Sequence, residues 1–190
     1  MLKEGVVSRQ DLLREIIERE LKMFVSVRNE GGTADCQKLP DSFRLMREIT
    51  FCVQSDAVLE SYLQDLVQAG AEGRNLMTEK YARMDNRIPP LKINEDIGEI
   101  VAAESRWRAE LCREFPHIVL ADGQAGFCRY LACELETWSD RTLAAYALLV
   151  EEAREQGRNL ARERYERLME LLGFGSLTEH ERALREERHA

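Results

Sequence analysis

The sequence repeats one four-residue stretch, Gly73-Arg74-Asn75-Leu76, letter for letter as Gly157-Arg158-Asn159-Leu160. With the 84-residue offset that relates the two stretches, residues 55–84 and 139–168 share 12 identities in 30 positions. About two identities are expected from average amino-acid usage. The remaining identities are Ser55/Ser139, Asp56/Asp140, Leu59/Leu143, Tyr62/Tyr146, Ala69/Ala153, Glu79/Glu163, Tyr81/Tyr165 and Arg83/Arg167. We therefore predict a tandem duplication of one unit of about 84 residues.

Each unit shows the spacing of amphipathic helices. Apolar residues recur every three or four positions after Ser8, Ser55 and Asn75, and these three residues are good helix N-caps. The alternation typical of strands is absent from the sequence. The pattern predicts an all-α protein in which two four-helix units form a pseudo-twofold helical bundle.

The sequence also indicates where the units join. Pro89-Pro90 breaks the helical pattern, so we expect residues 1–88 to form the first helical repeat and 89–175 the second, with a shared core. Residues 176–190 are strongly charged and carry few apolar residues, which predicts a C-terminal tail or a loosely packed helix.

Charge and cysteine usage restrict the class of protein. The net charge is −8 and the pI is about 5.1, so the overall field repels nucleic acid and anionic lipid. Five cysteines without a CxxC pair suit free thiols in a reducing compartment. The N-terminal stretch lacks the continuous apolar core of a signal peptide, and no run of 18 apolar residues occurs. We expect a cytoplasmic protein that binds neither nucleic acid nor membranes.

Two glutamates stand within apolar helical stripes at matching positions of the two units. Glu20 lies between Ile16 and Phe24, and Glu104 is its counterpart. A carboxylate in such a place must be paired. One interpretation is a buried ion pair with Arg83 and Arg167, which occur in both units. The other brings the two carboxylates together near the pseudo-twofold axis to hold a cation or a cationic ligand.

The loop 28–40 is the most site-like segment, because it combines glycines, which favour turns, with polar side chains. Comparing the units separates architecture from candidate function. Residues present only in the first unit are the better candidates for a specific ligand site, and they are Asn29, Gly31, Gly32, Cys36, Gln37 and Arg47. Structural roles are the alternative to a ligand site. The Cys36 thiol could be half-buried and pack the loop down, and Met46-Arg47-Glu48 could form an ordinary helix surface.

Known catalytic patterns are incomplete in this sequence. With only three histidines, His117, His180 and His189, the sequence is a poor match to the diiron sites of ferritin-like proteins. Gly31-Gly32 has neither a preceding strand nor the full dinucleotide fingerprint. Cys36 could be a nucleophile, but no histidine stands near it in the same unit, and the adjacent Asp35 would disfavour a thiolate. We predict no cofactor, no metal and no catalytic residues.

The loop and its flanks also carry a resemblance to a known family. The resemblance rests on the loop residues named above, on Phe43, Met46-Arg47 and Phe51, and on GRNL followed by Glu79-Lys80-Tyr81-Ala82-Arg83-Met84. Over nearly the whole chain this pattern resembles a bacterial family of uncharacterised proteins, the domain of unknown function 4125. The resemblance supports the extent of the fold and implies no reaction.

Three functions remain open. The first is a non-catalytic binding or adaptor module whose protein or small-molecule partner meets loop 28–40 and the start of the second helix. The second is a small-molecule enzyme or sensor with a polar pocket between the two repeats, built from Glu20, Cys36, Arg47 and Glu104. The third is a structural homodimer. We favour the first, because no complete catalytic set is present.

Overall fold

The computed structural model describes residues 8–28, 32 and 34–187. Within these residues it contains nine α-helices, one 3-10 helix (Asp35–Lys38) and no strand. The predicted all-α class is confirmed. The α-helices are α1 (Arg9–Val25), α2 (Pro40–Phe51), α3 (Asp56–Ala71), α4 (Leu76–Met84), α5 (Glu95–Glu114), α6 (Gln124–Leu135), α7 (Asp140–Glu155), α8 (Leu160–Leu172) and α9 (Leu177–Glu187).

Most of the helices begin at a residue whose side chain caps the first turn, whereas α2 and α6 begin without such a cap. Ser8, Ser55 and Asn75 each accept a hydrogen bond from a backbone N–H in the first turn of the helix that follows. Such a cap satisfies one of the donors that a helix leaves unpaired at its N-terminus. Ser139 and Asn159 cap α7 and α8 in the same way.

The repeated GRNL stretch forms the same corner twice. Gly73 and Gly157 adopt positive φ values of 70° and 65°, a conformation in which glycine has no steric penalty. After each glycine, the asparagine caps the next helix through its side-chain oxygen. Its Nδ2 donates to a backbone carbonyl of the first helix of the same half, at 2.9 Å to Met23 and 3.3 Å to Trp107. The corner therefore fixes the angle between consecutive helices.

The helix bounds recur along the chain. Helices α2, α3 and α4 begin at residues 40, 56 and 76, and α6, α7 and α8 begin 84 positions later, at 124, 140 and 160. Contacts between the halves are reciprocal, because α4 packs on α6 while α8 packs on α2, and α3 packs on α7. This is the arrangement that a pseudo-twofold axis would produce.

One large cluster of buried apolar residues includes side chains from both halves of the chain. At its centre the ring of Trp138 lies between Tyr62 and Tyr146, with ring centroids 4.7 Å and 5.8 Å away. A smaller cluster of Leu21, Phe24 and Met77 holds the end of α1 against α4. Phe43 of α2 stacks on Phe24 at 4.6 Å, which places the start of α2 beside loop 28–40.

The charged C-terminal segment forms α9, which packs on α8 with Leu177 buried. Residues 188–190 lie outside the described part. No helix among the described residues has the length and apolar character needed to span a membrane.

The corner predicts a specific loss of stability. We expect Asn75→Ala to lower the free energy of unfolding by about 1–2 kcal/mol, because it removes both the helix cap and the bond to the Met23 carbonyl. Asn75→Asp should lose less, because the capping oxygen remains. Urea denaturation followed by circular dichroism measures both variants. Equal stability of Asn75→Ala and the parent would contradict this role.

Candidate functional site

Glu20 is completely buried on α1, and it is fully paired. Arg47 of α2 donates from Nε and Nη2 to the two carboxylate oxygens of Glu20, each at 2.6 Å. The hydroxyl of Tyr62 donates to Glu20 Oε1 at 2.7 Å. A two-point contact between guanidinium and carboxylate is the strongest common form of ion pair. The prediction that Arg47 lies on an ordinary helix surface is therefore wrong, because its side chain points into the bundle and is only 4% exposed.

A second buried carboxylate extends this pair into a network. Glu134 of α6 accepts from Arg47 Nη2 at 2.6 Å and from Lys80 Nζ of α4 at 2.7 Å. The Lys80 ammonium also lies over the ring of Tyr130, 3.6 Å from its centroid. We call Glu20, Arg47, Lys80 and Glu134 the buried charge network. Its two carboxylates and two cations sum to zero, and no side chain in it is more than 4% exposed.

The network changes the pKa values of its members. Burial alone would raise the pKa of Glu134, but the charges of Arg47 and Lys80 and their hydrogen bonds lower it to about 2. Burial raises the pKa of Glu20, because contacts with Arg47 and Tyr62 offset only part of the lost hydration. Burial lowers the pKa of Lys80, and the charge of Glu134 opposes that effect. Glu134 is thus held in its charged form more firmly than Glu20.

The second half has a simpler arrangement at the matching place. Glu104 of α5 accepts two hydrogen bonds from Arg164 of α8, at 2.7 Å and 2.8 Å. Tyr146 donates to Glu104 Oε1 at 2.6 Å, as Tyr62 does to Glu20. Arg164 stands 84 residues after Lys80, so the same helix position supplies a base in both halves.

The predicted partners Arg83 and Arg167 are wrong. Arg83 lies in the last turn of α4, beyond the buried stripe that contains Lys80, and its Nε donates to Glu136 at 2.6 Å. Arg167 is partly exposed and pairs with Glu170 and Glu48. The bases that neutralise the two buried glutamates come instead from Arg47 and Arg164.

The arrangement gives no support to a cation held between the two buried glutamates. Glu20 and Glu104 each have their own arginine and tyrosine, and they share no partner. Among residues 8–28, 32 and 34–187, no group of three or more His, Cys, Asp or Glu side chains could hold a metal ion.

Gln37 anchors the described part of loop 28–40 to the end of α1. This buried side chain donates to the carbonyls of Phe24 and Val27, each at 2.9 Å, and accepts from the backbone N–H of Ala34. The expectation that a half-buried Cys36 packs the loop down is wrong, because Cys36 is exposed and its neighbour Gln37 takes that place. Gly32 is exposed with a φ of 89°. Asn29 and Gly31, the other predicted loop residues, lie outside the described residues.

Two surface clefts have linings that include none of the predicted site residues that the structure describes. The first, about 350 Å³, runs between α1 and α2 with Leu13 and Ile17 as its apolar lining and Arg14, Glu18 and Arg44 among its charged residues. The second, about 280 Å³, lies between the halves and is lined by both polar and apolar side chains. Its lining includes Asp65, Arg74, Lys92, Glu136 and Trp138.

Sequence reasoning missed the contribution of Lys80 and Glu134. A signal for Lys80 was available, because position 164 carries another base at the same offset. Glu134 gave no such signal, because its counterpart is Thr50. Its position between two apolar residues, Cys133 and Leu135, was the only local indication that Glu134 is buried.

The fold and this interior define a class, namely an all-α bundle whose buried charges neutralise one another. Comparison with known families places the chain more specifically. The family described as "Protein of unknown function (DUF4125)" matches residues 10–182, so the chain belongs to this family. Comparisons with curated proteins and with solved structures found no match.

The low pKa of Glu134 predicts how stability depends on pH. Because its pKa falls from the ordinary 4.5 to about 2 on folding, its contribution is present above pH 4.5 and is lost as the pH falls towards 2. Each pKa unit corresponds to about 1.4 kcal/mol, so the full contribution is roughly 3 kcal/mol. We expect Glu134→Gln to be less stable at pH 7 by that order, and to lose less stability between pH 4.5 and 2.

The measurement is the free energy of unfolding in urea at a series of pH values. Glu20 is present in both proteins, but the charge of Glu134 contributes to its raised pKa, so the difference between the two curves reports the coupled pair. The exposed Glu151→Gln serves as the control and should follow the parent at every pH. Parallel curves for the parent and Glu134→Gln would contradict the assignment.

Proposed function

We propose that the protein is a cytoplasmic, non-catalytic binding or adaptor module that meets its partner through loop 28–40 and the start of α2. The observation that supports this proposal is a group of exposed apolar side chains beside loop 28–40. Leu39 and Met46 are 56% and 54% exposed, and Val25 at the end of α1 is 49% exposed. We call these three residues the loop-side apolar residues.

Their placement supports a single binding surface. Leu39 immediately precedes the first residue of α2, and Met46 follows seven residues later, so both lie on one side of that helix. Gln37 bonds to the end of α1 and thereby holds Val25's helix terminus against the loop. Large apolar side chains that are exposed near one another are typical of protein-binding surfaces.

The interior also favours binding over catalysis. Glu20, Arg47 and Glu104 were the candidates for a polar pocket between the repeats, but each is buried against a partner of opposite charge. A group that is closed off from solvent and already paired has no open position for a substrate. Cys36 is exposed on the loop, and among the described residues no histidine hydrogen-bonds to it.

Internal duplication belongs to the same proposal. The repeated helix starts, the two GRNL corners and the matched Glu–Tyr pairs all support it. Within this scheme, Leu39 and Met46 correspond to Gly123 and Tyr130, so the apolar surface is a property of the first half alone. A specific partner would therefore meet one half of a nearly symmetric molecule.

The alternative is a small-molecule sensor that uses the cleft between the halves. That cleft joins residues of α3, the linker and the turn before α7, and it is lined by both acids and bases. A panel of charged metabolites screened by thermal shift tests it. A rise in Tm that is lost in both Arg74→Met and Lys92→Met would favour the sensor over the adaptor.

The adaptor proposal predicts site-specific crosslinking in the source cells. We expect a photo-crosslinking amino acid at position 39 or 46 to give one discrete adduct of higher mass, because these side chains lie at the partner surface. Leu148 on α7 is the matched control, since it is 62% exposed and lies on the other half. Mass spectrometry of the purified adduct identifies the partner.

Two further variants sharpen this test. Leu39→Ser with Met46→Ser should abolish co-purification of the identified partner, whereas Leu148→Ser should leave it unchanged. Circular dichroism confirms that the helices remain. Adducts of equal yield from positions 39, 46 and 148, or none from any position in growing cells, would overturn the proposed surface.

A further inference from the structure

The ion pair between Arg47 and Glu134 joins the two halves, and its symmetric counterpart does not exist. At the 84-residue offset, Arg47 corresponds to Leu131 and Glu134 corresponds to Thr50. The bond therefore occurs once, although the helices that carry it have counterparts 84 residues away. It spans 87 residues of sequence and connects α2 with α6.

Counting the charges of the buried charge network and of the Glu104–Arg164 pair by half shows a consequence of this asymmetry. In the first half Glu20 contributes one negative charge, and Arg47 and Lys80 contribute two positive charges, so its buried sum is +1. In the second half Glu104 and Arg164 cancel, and Glu134 leaves a buried sum of −1. The halves are complementary in buried charge, and only the pairing of unlike halves is neutral.

Without this difference in charge, two identical halves from two copies of the chain could pair through the same helix surfaces. Because α4 packs on α6 and α8 packs on α2, each half offers equivalent helices to its partner. A first half from a second copy could occupy the place of the second half, as in a symmetric dimer or an exchange of halves. Such pairing would place Thr50 where Glu134 now stands and leave Lys80 without a carboxylate.

Pairing of two second halves would fail for the opposite reason. Leu131 would replace Arg47, and Arg164 would stand in the place of Lys80, already bonded to Glu104. Each half would then bury two carboxylates for one base. An uncompensated charge in a bundle interior is among the most costly defects a protein can have.

We propose that Arg47, Lys80 and Glu134 direct the two halves of one chain to pair with each other and prevent pairing with the like halves of a second copy. This role is separate from the proposed partner surface, because all three side chains are buried. It resembles the way a buried polar residue fixes partner choice in coiled coils.

The test gives the first half the charge layout that already exists in the second. Arg47→Leu, Lys80→Arg and Glu134→Thr together leave Glu20 beside a base at position 80, as Glu104 is beside Arg164. Both halves then have a buried sum of zero. We expect this triple variant to form dimers and larger species that increase with concentration, measured by light scattering after gel filtration.

Exchange of halves is measured directly by capture. A tagged copy is co-expressed with an untagged copy of the same protein, and the captured untagged fraction is quantified. We expect roughly tenfold more capture for the triple variant than for the parent, which is about 1.4 kcal/mol of pairing free energy. A folded triple variant that stays monomeric and shows no increase in capture would overturn the proposal.

A second variant and a control keep the test decisive. Lys80→Met with Glu134→Gln also brings both sums to zero, and it retains the bond between Arg47 and Glu20. It should show the same increase in capture, and it replaces the triple variant if that variant does not fold. The control Glu104→Gln with Arg164→Met removes a buried ion pair within one half and leaves the sums at +1 and −1. It should lose stability without added capture, and equal capture by this control would contradict the proposal.

Discussion

The contact on which the structure depends is the two-sided ion pair of Arg47 with Glu20 and Glu134. A guanidinium removed from water needs carboxylates in fixed positions, and those positions are supplied by α1 and α6. Lys80 then completes the balance from α4. Four helices from two halves of the chain thus meet at one neutral point, and a shift of any of them would leave a charge without its partner.

The second half neutralises its buried glutamate with fewer residues. Glu104, Arg164 and Tyr146 form a closed set within one half, whereas the first half depends on a carboxylate from the other. The first half therefore cannot neutralise its interior alone. It is also the half with the long glycine-bearing loop and the exposed loop-side apolar residues. The other half of the chain completes its interior, and in our proposal an outside partner covers its surface.

The sequence predicts local structure here better than it predicts contacts. Helix starts follow from Ser8, Ser55 and Asn75, because capping depends on a few adjacent residues. The burial of Glu20 follows from the apolar stripe around it. Its partner does not follow, because Arg47 lies 27 residues away and Glu134 lies 87 residues beyond Arg47, and nothing local links these positions. The preference for residues shared by both halves favoured Arg83 and Arg167, although the network is built from residues that differ.

Loop 28–40 shows the same limit at the scale of single side chains. Neighbouring residues in a tight 3-10 turn face different directions, so Cys36 is exposed while Gln37 is buried. Composition alone cannot separate the two. Gln37 becomes distinctive only when the carbonyls of Phe24 and Val27 are seen to lie within reach of its amide.

Trp138 gives the junction between the halves an optical signature. Its ring contacts Tyr62 of the first half at 4.7 Å and Tyr146 of the second at 5.8 Å, and the chain contains one other tryptophan, Trp107. At these separations, excitation absorbed by either tyrosine passes to the indole, and the tilted rings place it in an asymmetric environment. The part of the Trp138 emission that is excited through Tyr62 therefore reports whether the two halves are joined. The protein carries this fluorescent reporter without any added label.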